Sequence, residues 1–197
     1  TEVNYLLEKC ATHNPDDLWS SRMKLNLKKF IYPDQRINLN ALENFRRNHI
    51  FINEMPSTWG NKLLPFNWLS GGKRAQLRYL QERLLLMKEY KADIKFLKKY
   101  PINPVGNPLA IKCDGYHFNK RWSNNIRYLS LAAQYLNEIL SSGDSSLIDI
   151  GGGYGIFLSL LKQEFGHLKL AVLEFPEHLL LNYYFIANTF PKARINS

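Results

Sequence analysis

One short stretch of the chain combines acidic and small residues at spacings that could hold a nucleoside. It contains Asp149, Gly151, Gly152, Gly153 and Gly155, and a further acid, Glu174, lies 23 residues beyond Gly151. Glycines let a backbone bend sharply and approach a ligand without an intervening side chain. Backbone amides at the start of a following helix can face a carboxylate or a phosphate. An acid about 20 residues further along is placed to accept hydrogen bonds from ribose hydroxyls.

The elements that must position these residues can be predicted from the flanking sequence. Residues 147–150 form a short apolar run typical of a strand buried in a parallel sheet. Residues 156–165 predict a helix ended by Gly166, and residues 168–173 predict a second strand that finishes in Glu174. We therefore predict an α/β protein whose C-terminal region, residues 111–197, begins a doubly wound, Rossmann-like sheet.

The glycine spacing narrows the choice of nucleoside. A dinucleotide fingerprint requires Gly-x-Gly-x-x-Gly, but Ile156 occupies the third position and Gly155 comes one residue early. No Gly-Lys-Ser/Thr follows, which excludes a P-loop. Gly-x-Gly-x-Gly preceded by Asp149 resembles motif I of class I S-adenosylmethionine-dependent methyltransferases. That resemblance implies that the turn runs alongside the methionine part of S-adenosylmethionine, with Asp149 near it and Glu174 at the ribose. A dinucleotide site and a tight turn without a ligand are the alternatives.

A narrower resemblance covers residues 112–197. The run Leu173-Glu174-Phe175-Pro176 leading into a helix, the Gly-Gly-Gly-Tyr-Gly turn and the Arg127-Tyr128 pair resemble a sugar O-methyltransferase family found among bacterial polysaccharide genes. Acid-x-Pro at this place also occurs in small-molecule O-methyltransferases of plant type. The resemblance implies methyl transfer from the sulfonium to a sugar hydroxyl in polysaccharide biosynthesis. A nucleic-acid methyltransferase, another small-molecule methyltransferase and a non-catalytic nucleotide-binding module are the alternatives.

Methyl transfer to a hydroxyl needs a group that removes the hydroxyl proton. His117, in a polar and aromatic stretch before the first strand, is the nearest candidate base, with a structural or solvated histidine as the alternative. Tyr116, Asn119 and Arg127 are further candidates for lining the cofactor or substrate mouth. Cys10 and Cys113 have no metal-ligand spacing, and we predict no metal site.

Residues 1–110 differ in character from the rest. They carry 18 Lys/Arg and 10 Asp/Glu, against 8 and 7 in residues 111–197. Prolines divide residues 1–70 into short predicted helices, in which Trp19, Trp59, Phe66 and Trp68 are candidate anchors. One helix is predicted over residues 72–99, with the apolar stripe Leu77, Leu80, Leu84 and Met87. We interpret the lysines as a solvated helical surface rather than a nucleic-acid site.

A proline-marked connector, residues 101–122, separates this basic helical region from the cofactor region. A second helix is predicted over residues 123–142, capped by Ser123 and ended by Gly143 in a left-handed conformation. Its predicted buried stripe is Ile126, Leu129, Ala133, Leu136 and Leu140.

The remaining predictions concern the whole protein. No apolar run reaches the ~18–20 residues that cross a bilayer, and two distant cysteines suit a reduced, cytoplasmic protein. We expect a small-molecule or saccharide substrate, and the oligomeric state is left open. The 51 residues from Leu147 to Ser197 suffice for two strands and the start of a third at residues 193–196. We therefore expect a C-terminally truncated sheet with an open edge and an uncovered apolar face.

Overall fold

The computed structural model describes residues 28–32, 34, 36–48, 71–141 and 143–195, and they form a mixed α/β arrangement. The helices are α1 Leu39–Glu43, α2 Phe45–Asn48, α3 Gly71–Glu89, α4 Lys91–Lys99, α5 Lys120–Tyr135, α6 Asn137–Leu140, α7 Ile156–Glu164 and α8 Pro176–Thr189. The strands are β1 Ile111–Cys113, β2 Tyr116–Phe118, β3 Ser146–Ile150 and β4 Lys169–Leu173. None of these helices combines the length and apolar character needed to cross a membrane. The predicted anchors Trp19, Trp59, Phe66 and Trp68 lie outside the described residues.

The predicted strand–turn–helix–strand unit is confirmed. β3 and β4 pair in parallel, with Ile148 opposite Ala171 and Ile150 opposite Leu173, and α7 connects them. The prediction of a buried strand is wrong for one face, because Ile148 is 66% and Ile150 77% exposed. This is the uncovered apolar face expected for a two-stranded sheet. Residues 193–195 form no strand, and residue 196 lies outside the described part of the chain.

The prediction of a single helix over residues 72–99 is wrong, because the helix is interrupted at Tyr90. Tyr90 has φ −89° and ψ 86°, and its carbonyl accepts from the amide of Asp93 in the first turn of α4. The break places Asp93, which is almost fully buried, against Arg127 of α5 at 3.1 Å. The helical periodicity of the sequence continues through Tyr90, so it indicated neither the interruption of the helix nor the ion pair. The predicted stripe is confirmed at Leu80, Leu84 and Met87, all buried.

The second predicted helix also differs at both ends. The side chain of Asn119, not Ser123, caps α5 by accepting from the amide of Trp122 at 2.9 Å. The helix ends at Tyr135 and a separate turn, α6, follows, so Leu136 is exposed instead of buried. Gly143 lies outside the left-handed region, so the predicted C-cap there is wrong as well.

Part of the predicted connector is a β-hairpin. β1 and β2 pair antiparallel across a turn in which Asp114 and Gly115 both have positive φ. The alternation of buried and exposed residues in each three-residue strand is too short to be distinguished from a loop in sequence.

Buried side chains from both sides of residue 110 join in one cluster. Phe45, Leu84 and Phe96 belong to it together with Trp122 and Phe185. The indole of Trp122 donates to the carbonyl of Tyr100 at 3.1 Å, which ties α5 to the end of α4. The division into regions 1–110 and 111–197 stays a prediction, and the cluster shows how the described parts of both regions meet.

Candidate cofactor site

The glycine turn, residues 151–155, leads from β3 into α7. Gly151, Gly153 and Gly155 have φ of 75°, 58° and 92°, values that residues with a Cβ rarely adopt. The amide of Gly151 donates to the carbonyl of Leu173, which extends the parallel ladder by one residue. The amide of Gly155 donates to the carbonyl of Gly152, and Gly155 then begins α7 as its N-cap. Only a glycine-rich sequence can follow this path without strain.

Tyr154 anchors the turn in the core. Its side chain is 2% exposed, and its ring packs edge-on against Phe45 and Phe185, with centroids 5.1 and 5.3 Å away. The guanidinium groups of Arg46 and Arg121 each lie 5.6 Å from the centre of the same ring. Such contacts between cations and aromatic faces are attractive. Tyr154, the one large side chain of the turn, thereby holds the turn in place against the core.

Glu174 lies at the end of β4 and contacts the turn directly. Its Oε2 accepts from the amide of Gly153 at 2.7 Å, and its Oε1 accepts from the amide of Phe175 at 2.8 Å. Nδ1 of His178, one turn into α8, lies 3.3 Å from Oε1. Burial alone would raise the pKa of Glu174, but His178 and the two backbone amides outweigh it, so the pKa lies below its ordinary value. The carboxylate is therefore held charged and in one orientation.

Asp149 is the second carboxylate at the turn. Its Oδ2 is buried and has no hydrogen-bond partner among the described residues. Burial, and then the negative charge of Glu174, raise the pKa of Asp149 above its ordinary value. A Cβ on Gly152 would lie 2.4 Å from Oδ2, so only glycine leaves room for the carboxyl here. An acceptor that is buried without a donor costs free energy unless a ligand supplies one.

Helix α8 closes over the other end of the turn. The side chain of Asn182, which is 6% exposed, donates from Nδ2 to the carbonyl of Gly153 at 3.3 Å. A Cβ on Gly155 would lie 2.8 Å from the same nitrogen, so a larger residue would have to displace the side chain of Asn182 and would also be strained at a φ of 92°. Pro176 at the start of α8 suits a first helical position, which lacks an intrahelical bond.

The structure brings the six predicted cofactor residues, Asp149, Gly151, Gly152, Gly153, Gly155 and Glu174, together at one edge of the sheet. His117 is exposed on β2, opposite Lys112, and no hydrogen bond or ion pair among the described residues connects it to the turn. Its role as a base stays a prediction. Asn119 caps α5 and also binds the carbonyl of Leu109, while Arg127 pairs with Asp93, so both have structural partners.

Apart from His178, the further residues at the turn carried no usable sequence signal. Arg46, Arg121, His178 and Asn182 come from three separate elements, and only folding brings them to the turn. His178 alone had a local signal, because it lies four residues after Glu174 at the start of a helix, where the two side chains share a face.

Neither a reactive cysteine nor a metal-binding group is found among the described residues. Cys113 is buried in β1, and its burial raises the pKa of the thiol, which disfavours the reactive thiolate. Within the described ranges, no group of three His, Cys, Asp or Glu side chains is arranged to hold a metal ion. Comparison of the chain with models of protein families, with curated proteins and with solved structures found no match.

Proposed function

We propose that the glycine turn binds S-adenosylmethionine and that the protein transfers its methyl group to a hydroxyl, in a class I, Rossmann-like methyltransferase fold. The observation that carries this proposal is the pairing of two carboxylates around the turn. Glu174 is held charged at the tip of β4, and Asp149 has a buried oxygen without a hydrogen-bond partner among the described residues. A turn that served folding alone would gain nothing from a buried acceptor without a donor.

The residues present fit the proposed cofactor. Each oxygen of a carboxylate has two acceptor positions, so Glu174 can accept from ribose hydroxyls while it keeps its bonds to Gly153 and Phe175. Asp149 would receive the ammonium of the methionine part, directly or through water. The lack of a Cβ at Gly151, around which the structure leaves open space, lets a ligand lie against the backbone.

The bound cofactor supplies an electrophilic methyl group on a sulfonium. The protein's part is to align the acceptor oxygen in line with the breaking carbon–sulfur bond and to take the hydroxyl proton. His117 is the base that the sequence suggests, and the hairpin presents it to solvent. The acceptor class, a sugar hydroxyl of a polysaccharide precursor, rests on the family resemblance of residues 112–197.

Isothermal titration calorimetry of the protein with S-adenosylmethionine, S-adenosylhomocysteine and NADH tests the proposal. We expect binding of the first two and none of NADH, because the spacing of the turn departs from the dinucleotide fingerprint. Binding of NADH alone would replace the proposal with a dinucleotide site, and binding of none of the three would contradict it.

A substitution of Glu174 tests the residue assignment. Glu174→Ala should weaken S-adenosylhomocysteine binding by roughly 1–3 kcal/mol, through the loss of charged hydrogen bonds to the ribose. Asp114→Ala is the matched control, since it removes an exposed carboxylate that pairs with Lys88 on the hairpin. Equal affinities for the two variants, both folded by circular dichroism, would refute the assignment of Glu174.

A further inference from the structure

Arg121 presents a guanidinium to the glycine turn from the first turn of α5. Its Nη1 would lie 3.9 Å from a Cβ placed on Gly153, and its Cζ lies 5.6 Å from the ring centre of Tyr154. The side chain is half-buried. The ring of a buried tyrosine therefore holds the guanidinium next to the backbone of residue 153.

The guanidinium of Arg121 differs in its partners from that of Arg127 on the same helix. Among the described residues, no carboxylate lies within ion-pair distance of it, whereas Arg127 on the same helix contacts both oxygens of Asp93 at 3.1 and 3.2 Å. A positive charge in the first turn of a helix opposes the helix dipole. Arg46 brings a second guanidinium to the same ring, so the local positive charge increases further. Apart from its contact with the ring of Tyr154, the guanidinium therefore has no partner among the described residues, and its N–H groups can donate to a ligand.

Opposite charges therefore lie beside adjacent residues of the turn. The carboxyl of Asp149 lies where a side chain on residue 152 would be, and the guanidinium of Arg121 lies beside Gly153. This arrangement suits a zwitterion, whose ammonium and carboxylate are only two bonds apart through one carbon. A planar guanidinium can bind a carboxylate with two parallel hydrogen bonds.

Resting on the proposed function, we propose that Arg121 binds the carboxylate of the amino-acid part of S-adenosylmethionine and thereby selects nucleosides that carry it. Asp149 and Glu174 contact the ammonium and the ribose, and Arg121 supplies the only contact of the three that requires an anionic group on the ligand. The residue is thus a determinant of ligand specificity as well as of affinity.

Two ligands that differ in the amino-acid part separate this role from general effects. Calorimetry compares S-adenosylhomocysteine with 5′-methylthioadenosine, which keeps the adenine and ribose but lacks the carboxylate and the ammonium. Arg121→Gln should weaken S-adenosylhomocysteine binding about 10- to 100-fold, the effect of a lost charged pair of hydrogen bonds, and leave 5′-methylthioadenosine binding within about threefold.

Lys120→Gln is the matched control, because it removes a positive charge from the same helical turn while Lys120 lies over the ring of Tyr79 instead of Tyr154. It should change neither affinity appreciably. Arg121→Lys keeps the charge but loses the planar fork, so it should restore part of the lost affinity for S-adenosylhomocysteine. An equal loss for both ligands in Arg121→Gln, or no loss for either, would overturn the assignment.

The unaltered protein provides a measurement that does not depend on how the variants fold. Decarboxylated S-adenosylmethionine keeps the ammonium but lacks the carboxylate, so it should bind about 10- to 100-fold more weakly than S-adenosylmethionine. Equal binding of these two compounds would overturn the role of Arg121 and leave the proposed function standing. Failure of the protein to bind any of the four compounds would overturn both proposals.

Discussion

Replacing Gly152 with alanine would place a methyl group against the carboxyl of Asp149. The new Cβ would lie 2.4 Å from Oδ2 and 2.8 Å from Cγ of Asp149, and 3.2 Å from Cγ2 of Val172. Carbon atoms in contact are normally about 3.5–4.0 Å apart, so the carboxyl has to move by about 1 Å. The φ of Gly152 lies outside the left-handed region, and alanine therefore adds no strain of its own there. The cost comes from these contacts, of which the one with the Asp149 carboxyl is the closest.

Forcing an extra methyl group into a packed site typically costs about 1–3 kcal/mol of stability. We expect Gly152→Ala to lower the free energy of unfolding in urea by an amount in that range. The same shift moves Asp149 away from the ligand ammonium, so calorimetry should show weaker binding of S-adenosylhomocysteine as well. Stability and affinity decline together because one carboxyl is responsible for both.

Two further variants isolate the contact. Gly166→Ala is the control, because Gly166 also has a φ outside the left-handed region and its Cβ would meet nothing nearer than a carbonyl at 3.9 Å. The double variant Asp149→Ala/Gly152→Ala removes the carboxyl that the methyl group would contact, so it should regain most of the stability lost in Gly152→Ala. A Gly152→Ala protein as stable as Gly166→Ala would refute the reasoning.

Three other predictions follow from the same site and its surroundings. Asp149→Ala should leave the free energy of unfolding unchanged or raise it by up to about 1 kcal/mol, because it removes a buried acceptor that has no partner among the described residues. The same substitution should weaken S-adenosylhomocysteine binding. A marked loss of stability in urea would contradict this prediction. Because the pKa of Glu174 is lowered by folding, the ionised carboxylate stabilises the folded protein at pH values above its ordinary pKa of 4.5. This stabilisation is lost as the pH falls through the lower pKa of the folded state. The deficit of Glu174→Gln in urea unfolding should therefore be largest near neutral pH and shrink below about pH 4, and a constant deficit would contradict it. Cys113 should react with iodoacetamide only after unfolding, because burial raises the pKa of its thiol; mass spectrometry of the native protein would show rapid labelling of Cys113 if this is wrong.

The part of the site that sequence predicted is the part encoded locally. β3, the turn, α7 and β4 follow one another within 30 residues, and their periodicity and glycines specify them without distant contacts. The offset from Gly151 to Glu174 follows from the length of that unit. The acid therefore reaches the turn, and the amide of Gly153 binds it as the spacing requires.

The parts that sequence missed depend on distant partners. Arg46 lies 108 residues before Tyr154, and nothing near either residue indicates that the guanidinium and the ring meet. The break at Tyr90 is stabilised by the buried pair of Asp93 and Arg127, whose members are 34 residues apart. Helix periodicity describes a face and does not identify what covers it. The exposure of Leu136 differs from the prediction for another reason, because α5 ends at Tyr135, one residue before it.

Tyr154 also determines how the turn can move. The glycine turn carries at its centre a ring packed between Phe45 and Phe185, inside the main core cluster. Freeing the turn requires removal of that ring from the core, so its opening free energy approaches that of global unfolding. The amides of Gly151 and Gly155, bonded to Leu173 and Gly152, should therefore exchange with solvent deuterium as slowly as those of the core helices. The proposed ligand would meet a loop already in its final shape, and little of its binding free energy would be spent on ordering the backbone.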